Sequence, residues 1–134
     1  MRGWGWVILL TLAAPAEPAE TARGGKPRLE LRASPRVAFT PVAVLTTAEL
    51  VAGEDLEDYH CPRLEWDWGD GSRSAHEADC APFDESTVIE RRYTARHVYR
   101  SPGEYDIRLT LWRATRPIAA GRTVVLVQPG LGGY

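Results

Sequence analysis

The sequence predicts an all-β fold, a two-sheet sandwich of about seven short strands. Twelve glycines and ten prolines in 134 residues are too many for a helical bundle and suit a chain rich in turns. From Arg28 onward, apolar and polar residues alternate with a period of two, which is the period of a half-buried strand. A hydrophobic content of 44% is enough to fill one core between two sheets.

The first 16 residues have the pattern of a secretory signal peptide. Arg2 precedes the uncharged stretch 4–14, and an A-x-A sequence at 14–16 follows it. Because that stretch is too short to cross a bilayer as a helix, we expect cleavage after Ala16 and a secreted or periplasmic protein. The alternative is an uncut interfacial anchor in which Trp4 and Trp6 would lie at the lipid surface.

The rest of the chain predicts one domain. Residues 17–27 are small, polar and rich in proline and glycine, as in a flexible lead-in. Residues 28–128 form the domain, and residues 129–134 form a Gly-rich tail. The formal net charge is −2 and no block of like charge occurs, so we expect no nucleic-acid partner and, after cleavage, no membrane partner.

The first strands are short and interrupted by proline. Residues 29–33 alternate and end at Ser34-Pro35, and a second run, 37–39, ends at Pro41. We interpret the two runs as one kinked strand at a sheet edge, where proline is tolerated. Residues 42–51 could form a helix by composition, but their many β-branched residues favour a strand.

The clearest strand lies at 104–112, where Tyr105, Ile107, Leu109 and Leu111 occupy one face. In chain order, the other predictions from residue 53 onward are an acidic loop at 53–62, a strand at 63–68, a turn at 69–72, an irregular segment at 73–86, a strand at 87–94, a type II turn at Pro102-Gly103, a loop at 114–121 and a last strand at 122–127.

Cys61 and Cys80 are the two cysteines of the chain. In an oxidising compartment they most simply form one disulfide, which would stabilise the fold by about 3 kcal/mol through loop closure. A zinc site with His60 and His76 is the alternative. However, the neighbours His60 and Cys61 point to opposite sides of an extended segment and could share an ion only if the backbone were distorted. We therefore predict the disulfide.

Three separated motifs resemble the signature of the PKD domain family. They are Trp66-Asp67-Trp68-Gly69-Asp70-Gly71-Ser72, His97-Val98-Tyr99 and Pro102-Gly103-Glu104-Tyr105-Asp106-Ile107-Arg108-Leu109. The family pattern is W-D-F-G-D-G, then H-x-Y, then P-G-x-Y-x-V-x-L. The resemblance covers roughly residues 29–127 and implies an immunoglobulin-like sandwich. Trp68 stands where the family usually has phenylalanine, and the segment 73–86 is longer than usual.

The signature residues are expected to serve the fold. Trp66 would fill the space between the sheets. Asp67 and Asp70 would accept backbone N–H bonds in a tight turn, with φ angles that Gly69 and Gly71 permit. His97 and Tyr99, which precede the turn at Pro102-Gly103, would hydrogen-bond to neighbouring backbone and hold the loop ends. Tyr105 belongs to the same structural set.

Catalysis and calcium are the chemical alternatives. The candidate catalytic residues are His97, Asp70 and Ser72, but each already has an expected structural role in the signature. We therefore predict that the protein is not an enzyme and requires no cofactor. A small secreted hydrolase or metal-dependent enzyme is the competing function. The acidic loop, with Asp55, Glu57 and Asp58, suits calcium if it lies near the turn that carries Asp67 and Asp70.

The predicted function is recognition of a protein or a polysaccharide at the cell envelope, as the PKD resemblance implies. Trp112 falls on the face opposite the apolar residues of its strand, together with Arg108, so we expect it to be partly exposed. An exposed tryptophan on a sheet face is a common anchor for a partner. Alternatively, Trp112 covers the base of the loop 114–121.

Overall fold

The computed structural model describes residues 3, 27–51, 53 and 56–130, and it confirms the all-β sandwich. The strands are β1 (Arg28–Ser34), β2 (Val37–Phe39), β3 (Val42–Val51), β4 (Arg63–Asp67), β5 (Arg73–His76), β6 (Arg92–Tyr99), β7 (Gly103–Arg113) and β8 (Arg116–Gln128). Among the described residues a 3-10 turn at Glu57–Tyr59 is the helical element, and no helix has the length and apolar character to cross a membrane. Apart from Gly3, the predicted signal peptide lies outside the described residues.

The strands form two sheets that enclose the core. One sheet has the order β1-β3-β6 and the other the order β2-β8-β7-β4-β5. Neighbouring strands are antiparallel except β2 and β8, which run parallel. Every second residue is buried from Val44 to Leu50 of β3 and from Tyr105 to Leu111 of β7, as their alternation predicts. The core includes Leu29, Val44, Ala48, Leu50, Trp66, Ile107, Leu109, Leu111, Val125 and Val127.

The predicted kink at residues 34–36 is the point where the chain changes sheets. β1 is an edge strand of the three-stranded sheet, and β2 is an edge strand of the five-stranded sheet. The prediction of edge positions is therefore confirmed, but the two runs are separate strands in different sheets. Proline at Pro35 suits such a crossing because it has no N–H to donate to a ladder.

Two strands in the middle of the chain differ from the prediction. Residues 73–76, predicted as irregular, form β5 and pair with β4. All four are exposed, so no apolar alternation marks them as a strand. The strand predicted at 87–94 begins only at Arg92 and runs to Tyr99, so it also includes His97 and Tyr99.

The loop predicted at 114–121 is also wrong. β7 and β8 are joined at residues 114–115, where Ala114 has a φ of +53°, and β8 begins at Arg116. The ladder has an irregularity at Leu111/Trp112, and Pro117 lies opposite Trp112. The sequence did not predict a strand here because the small residues at 119–121 show no alternation of apolar and polar positions.

The disulfide between Cys61 and Cys80 is confirmed, with the two Cα atoms 6.1 Å apart. It links Cys61, two residues before β4, to Cys80 in the segment 77–91, which contains no strand. The zinc alternative is wrong because both sulfur atoms are in the disulfide. His60 is instead hydrogen-bonded through Nε2 to the carbonyl oxygen of Ala81, at 2.7 Å.

Candidate functional site

The signature residues meet at one end of the sandwich in a continuous aromatic stack. Trp66 and Trp68 stack with ring centroids 5.2 Å apart, and the His97 ring stacks on Trp68 at 4.7 Å. Tyr99 contacts His97 edge-on at 4.8 Å and stacks on Tyr105 at 4.2 Å. Alternate residues of a strand share one face, so the spacings of two in W-D-W and H-x-Y place both members of each pair on the inner side of the sandwich.

A hydrogen bond between Asp70 and His97 joins the two sheets at this end. Nε2 of His97, on β6, lies 2.7 Å from Oδ2 of Asp70, in the turn that follows β4. The other carboxylate oxygen of Asp70 accepts the Ser72 N–H at 2.9 Å. Burial alone would raise the pKa of Asp70, but these hydrogen bonds outweigh it and hold the pKa below its ordinary value.

The tyrosine of the second motif makes another bond between the sheets. The Tyr99 hydroxyl donates to the carbonyl oxygen of Trp68 at 2.6 Å, and burial, with the nearby Asp70 charge adding, raises the pKa of that hydroxyl. The backbone bond predicted for Tyr99 is thus present, although its acceptor is not a sequence neighbour. The backbone bond predicted for His97 is wrong: its ring points into the sandwich from β6 and meets a carboxylate.

The turn after β4 depends on its two aspartates and two glycines. Asp67 accepts the Gly69 N–H at 3.0 Å, and Asp70 accepts the Ser72 N–H, as predicted. Gly69 and Gly71 have φ angles of +79° and +90°. A Cβ on Gly69 would lie 2.7 Å from the Asp106 carbonyl oxygen, whereas a Cβ on Gly71 would meet nothing within 4 Å. Close packing against Asp106 therefore requires glycine at position 69, whereas at position 71 only the backbone conformation favours glycine.

His97, Asp70 and Ser72, the catalytic alternative considered from the sequence, lie close together, but their hydrogen bonds do not have the arrangement of a catalytic triad. A serine nucleophile needs histidine between it and the carboxylate, so that the imidazole can accept the hydroxyl proton. Here Asp70 bonds to the His97 ring through one carboxylate oxygen and accepts the backbone N–H of Ser72 through the other. Within the described part of the chain, no hydrogen bond joins Ser72 to His97. The three residues therefore lack the contact between nucleophile and base that acyl transfer requires.

The acidic loop lies at the opposite end of β4 from the turn, which corrects the expected proximity to Asp67 and Asp70. Asp58 pairs with Arg113, at the end of β7. The Tyr59 hydroxyl donates to the carbonyl oxygen of Ile118 at 3.0 Å. Among residues 27–51, 53 and 56–130, no three histidine, cysteine, aspartate or glutamate side chains form a group that could hold a metal ion. Asp55 is outside the described residues, so calcium binding with Asp55, Glu57 and Asp58 stays a prediction.

Trp112 and Arg108 lie on the outer face of the five-stranded sheet. Trp112 is half-buried, in agreement with the predicted partial exposure, and Arg108 is exposed. The Arg63 guanidinium lies over the indole ring, 5.4 Å from its centroid. Nε1 of Trp112 is buried and has no hydrogen-bond acceptor among the described residues. The alternative role over a loop at 114–121 does not apply, because β8 occupies those positions.

One surface was missed from the sequence. Val37, Val124 and Leu126 line a shallow groove of about 390 Å³ on the outer face of the five-stranded sheet, with Arg36 and Glu104 at its sides. We call it the β2 groove. The apolar residues Val37 and Phe39 in the sequence could have indicated this surface. However, its other apolar residues, Val124 and Leu126, join them only because β2 pairs with β8, and the sequence does not show that pairing.

The structure resembles solved β-sandwich domains. The PKD domain of an M14-like peptidase from a Thermoplasmatales archaeon matches with a TM-score of 0.55 and 13% identity, over 80% of this chain and 99% of that one. The CARDB domain of a Pyrococcus furiosus protein, solved in complex with di-metal ions, matches with a TM-score of 0.51 and 13% identity, over 81% and 92% of the two chains.

A putative membrane anchored protein from Corynebacterium diphtheriae matches with a TM-score of 0.51 and 20% identity, over 77% of this chain. The match covers only 21% of the Corynebacterium chain. No protein-family model and no curated protein sequence matches this chain. The fold of this chain is thus similar to that of PKD domains, which confirms the resemblance by structure.

Proposed function

We propose that this chain is a non-catalytic recognition module that acts outside the cytoplasm and binds a protein or a polysaccharide at the cell envelope. The observation that supports it most is the bonding of Asp70, which accepts the Ser72 backbone N–H within its own turn and bonds to His97 from the other sheet. These groups are occupied in the fold, and binding then depends on surface side chains.

The location is supported by two features. The disulfide between Cys61 and Cys80 suits an oxidising compartment. The N-terminal sequence, with Arg2 before an uncharged stretch and A-x-A after it, has the pattern of an export signal. Both features favour a secreted or periplasmic protein.

The outer face of β7, with Trp112 and Arg108, is the binding surface that we propose. Arg108 is exposed and forms no ion pair with any described residue. The indole ring of Trp112 is half-buried with the Arg63 guanidinium over it, and its N–H has no acceptor among the described residues. An aromatic ring beside an arginine is a common composition of binding hot spots in protein recognition.

The test is binding of the full chain to isolated cell envelopes of the producing organism, measured by sedimentation. Trp112→Ala should weaken binding about thirtyfold, as loss of an anchor tryptophan does, with little change in melting temperature. Arg96→Ala, an exposed arginine on the other sheet, is the control and should bind as wild type. His97→Ala should lower melting temperature and binding together.

Envelopes treated with protease or stripped of polysaccharide distinguish the two partner classes. If Trp112→Ala binds as wild type and melts at a lower temperature, the indole serves the fold. The binding surface would then have to be sought at residues 53–60 and 73–86.

A further inference from the structure

The β2 groove is an apolar surface with one charge of each sign at its sides. Val37 is 59% exposed, Leu126 is 40% exposed, and Phe39, on the same face of β2, is 52% exposed. Arg36 and Glu104 line the groove, and neither forms an ion pair with any residue that the structure describes. An apolar centre between an unpaired cation and an unpaired anion is complementary to a copy of itself.

The sheet order places these groups symmetrically. Val37 and Glu104 both lie opposite Leu126, one on each side of β8. Neighbouring strands are about 4.8 Å apart, so β2 and β7 are equally distant from β8. A two-fold axis parallel to β8 near Leu126 would therefore set β2 of one copy over β7 of the other. Arg36 of each copy would then face Glu104 of its partner, which is the pattern of an isologous interface.

The neighbouring prolines favour contact through the face of the sheet over contact through its edge. β2 has three residues and lies between Pro35 and Pro41. Short edge strands bounded by proline resist the addition of another strand. The outward side chains Val37 and Phe39 are not restricted in this way, and aligned packing of two sheets face to face is a common arrangement.

We propose that two copies of this chain form a homodimer through the β2 groove, with Leu126 near the two-fold axis and reciprocal Arg36–Glu104 ion pairs. The groove and Trp112 lie at opposite ends of β7, and the argument for the dimer uses none of the residues of the proposed binding surface. A failure of the dimer proposal would therefore leave the envelope-binding proposal untouched, and the reverse also holds.

The test is the molar mass of the full chain, expressed with its own N-terminal segment so that any processing takes place, measured by sedimentation equilibrium over a concentration series. The wild type should be a dimer. Arg36→Glu and Glu104→Arg should each weaken the dimer at least about tenfold, because each places like charges opposite one another. The double variant Arg36→Glu/Glu104→Arg should recover most of the wild-type affinity.

Arg96→Glu is the matched control, since Arg96 is an exposed arginine on the outer face of the other sheet. It should leave the dimer unchanged, and thermal melting should show that all variants are folded. A monomeric wild type overturns the proposal. So does a dimer that Arg36→Glu leaves intact, or a double variant as weak as the single ones.

Discussion

The Asp70 carboxylate gives the stability of the fold a specific pH dependence. Its pKa is lowered in the folded state, so the folded chain binds a proton there less readily than the unfolded chain. The stabilisation is complete above the unfolded pKa of about 3.9 and is lost as the pH falls through the folded pKa.

Asp70→Asn should therefore cost about 1 kcal/mol of unfolding free energy at pH 7, and the difference from wild type should shrink below about pH 4. Urea denaturation at a series of pH values measures both quantities. Asp79→Asn, at an exposed position in the segment 77–91, is the control. A difference that stays constant down to pH 2 would show that the Asp70 charge does not contribute.

Trp66 is the residue whose loss should damage the core most directly. It is 3% exposed, and its ring stacks on Trp68. Trp66→Ala should lower the unfolding free energy by about 3–5 kcal/mol, because truncating a buried aromatic removes its transfer free energy and leaves a cavity. Guanidinium denaturation measures this value. An unchanged midpoint would mean that the register of β4 differs from the one described.

At the scale of the elements, the turn after β4 separates two effects of glycine. Gly69→Ala meets backbone atoms of Asp106, so β7 must shift, whereas Gly71→Ala meets open space and carries only the cost of its positive φ. We expect Gly71→Ala to cost about 1 kcal/mol and Gly69→Ala clearly more. Chemical denaturation of the two variants tests the difference. Equal losses would argue against close packing of the turn on β7.

The disulfide ties down the segment 77–91, the longest stretch without a strand among the residues that the structure describes. Cys61→Ser/Cys80→Ser should lower the unfolding free energy by about 3 kcal/mol, as expected for closing a loop of 19 residues. Unreduced wild type should also have a mass lower than the reduced protein by two hydrogens. Free thiols in the exported protein would contradict this account, as would a melting temperature that reduction does not change.

The elements that could be predicted are those with a strong alternation of apolar and polar residues. β3, β4 and β7 lie close to their predicted positions because each buries one face. β5 exposes all four residues, and the first part of β8 contains proline, alanine and glycine, so neither carries this pattern. The signature residues were predicted to serve the fold, but neither their aromatic stack nor the bond from His97 to Asp70 was predicted. Both depend on β6 facing the turn from the other sheet.

At the scale of the whole molecule, the polar signature holds the two sheets together. His97 and Tyr99 come from the three-stranded sheet, and they bond to Asp70 and to the backbone of Trp68, both of which directly follow β4 of the five-stranded sheet. Such bonds at one end of the sandwich leave the outer faces of the sheets available for partners.

A double-mutant cycle on Asp70 and His97 tests this central claim most directly. The unfolding free energies of wild type, Asp70→Asn, His97→Ala and the double variant give the coupling between the two side chains. The account predicts that both single variants are less stable than wild type and that the coupling is about 1 kcal/mol. Single variants as stable as wild type, with effects that add within about 0.3 kcal/mol, would contradict it.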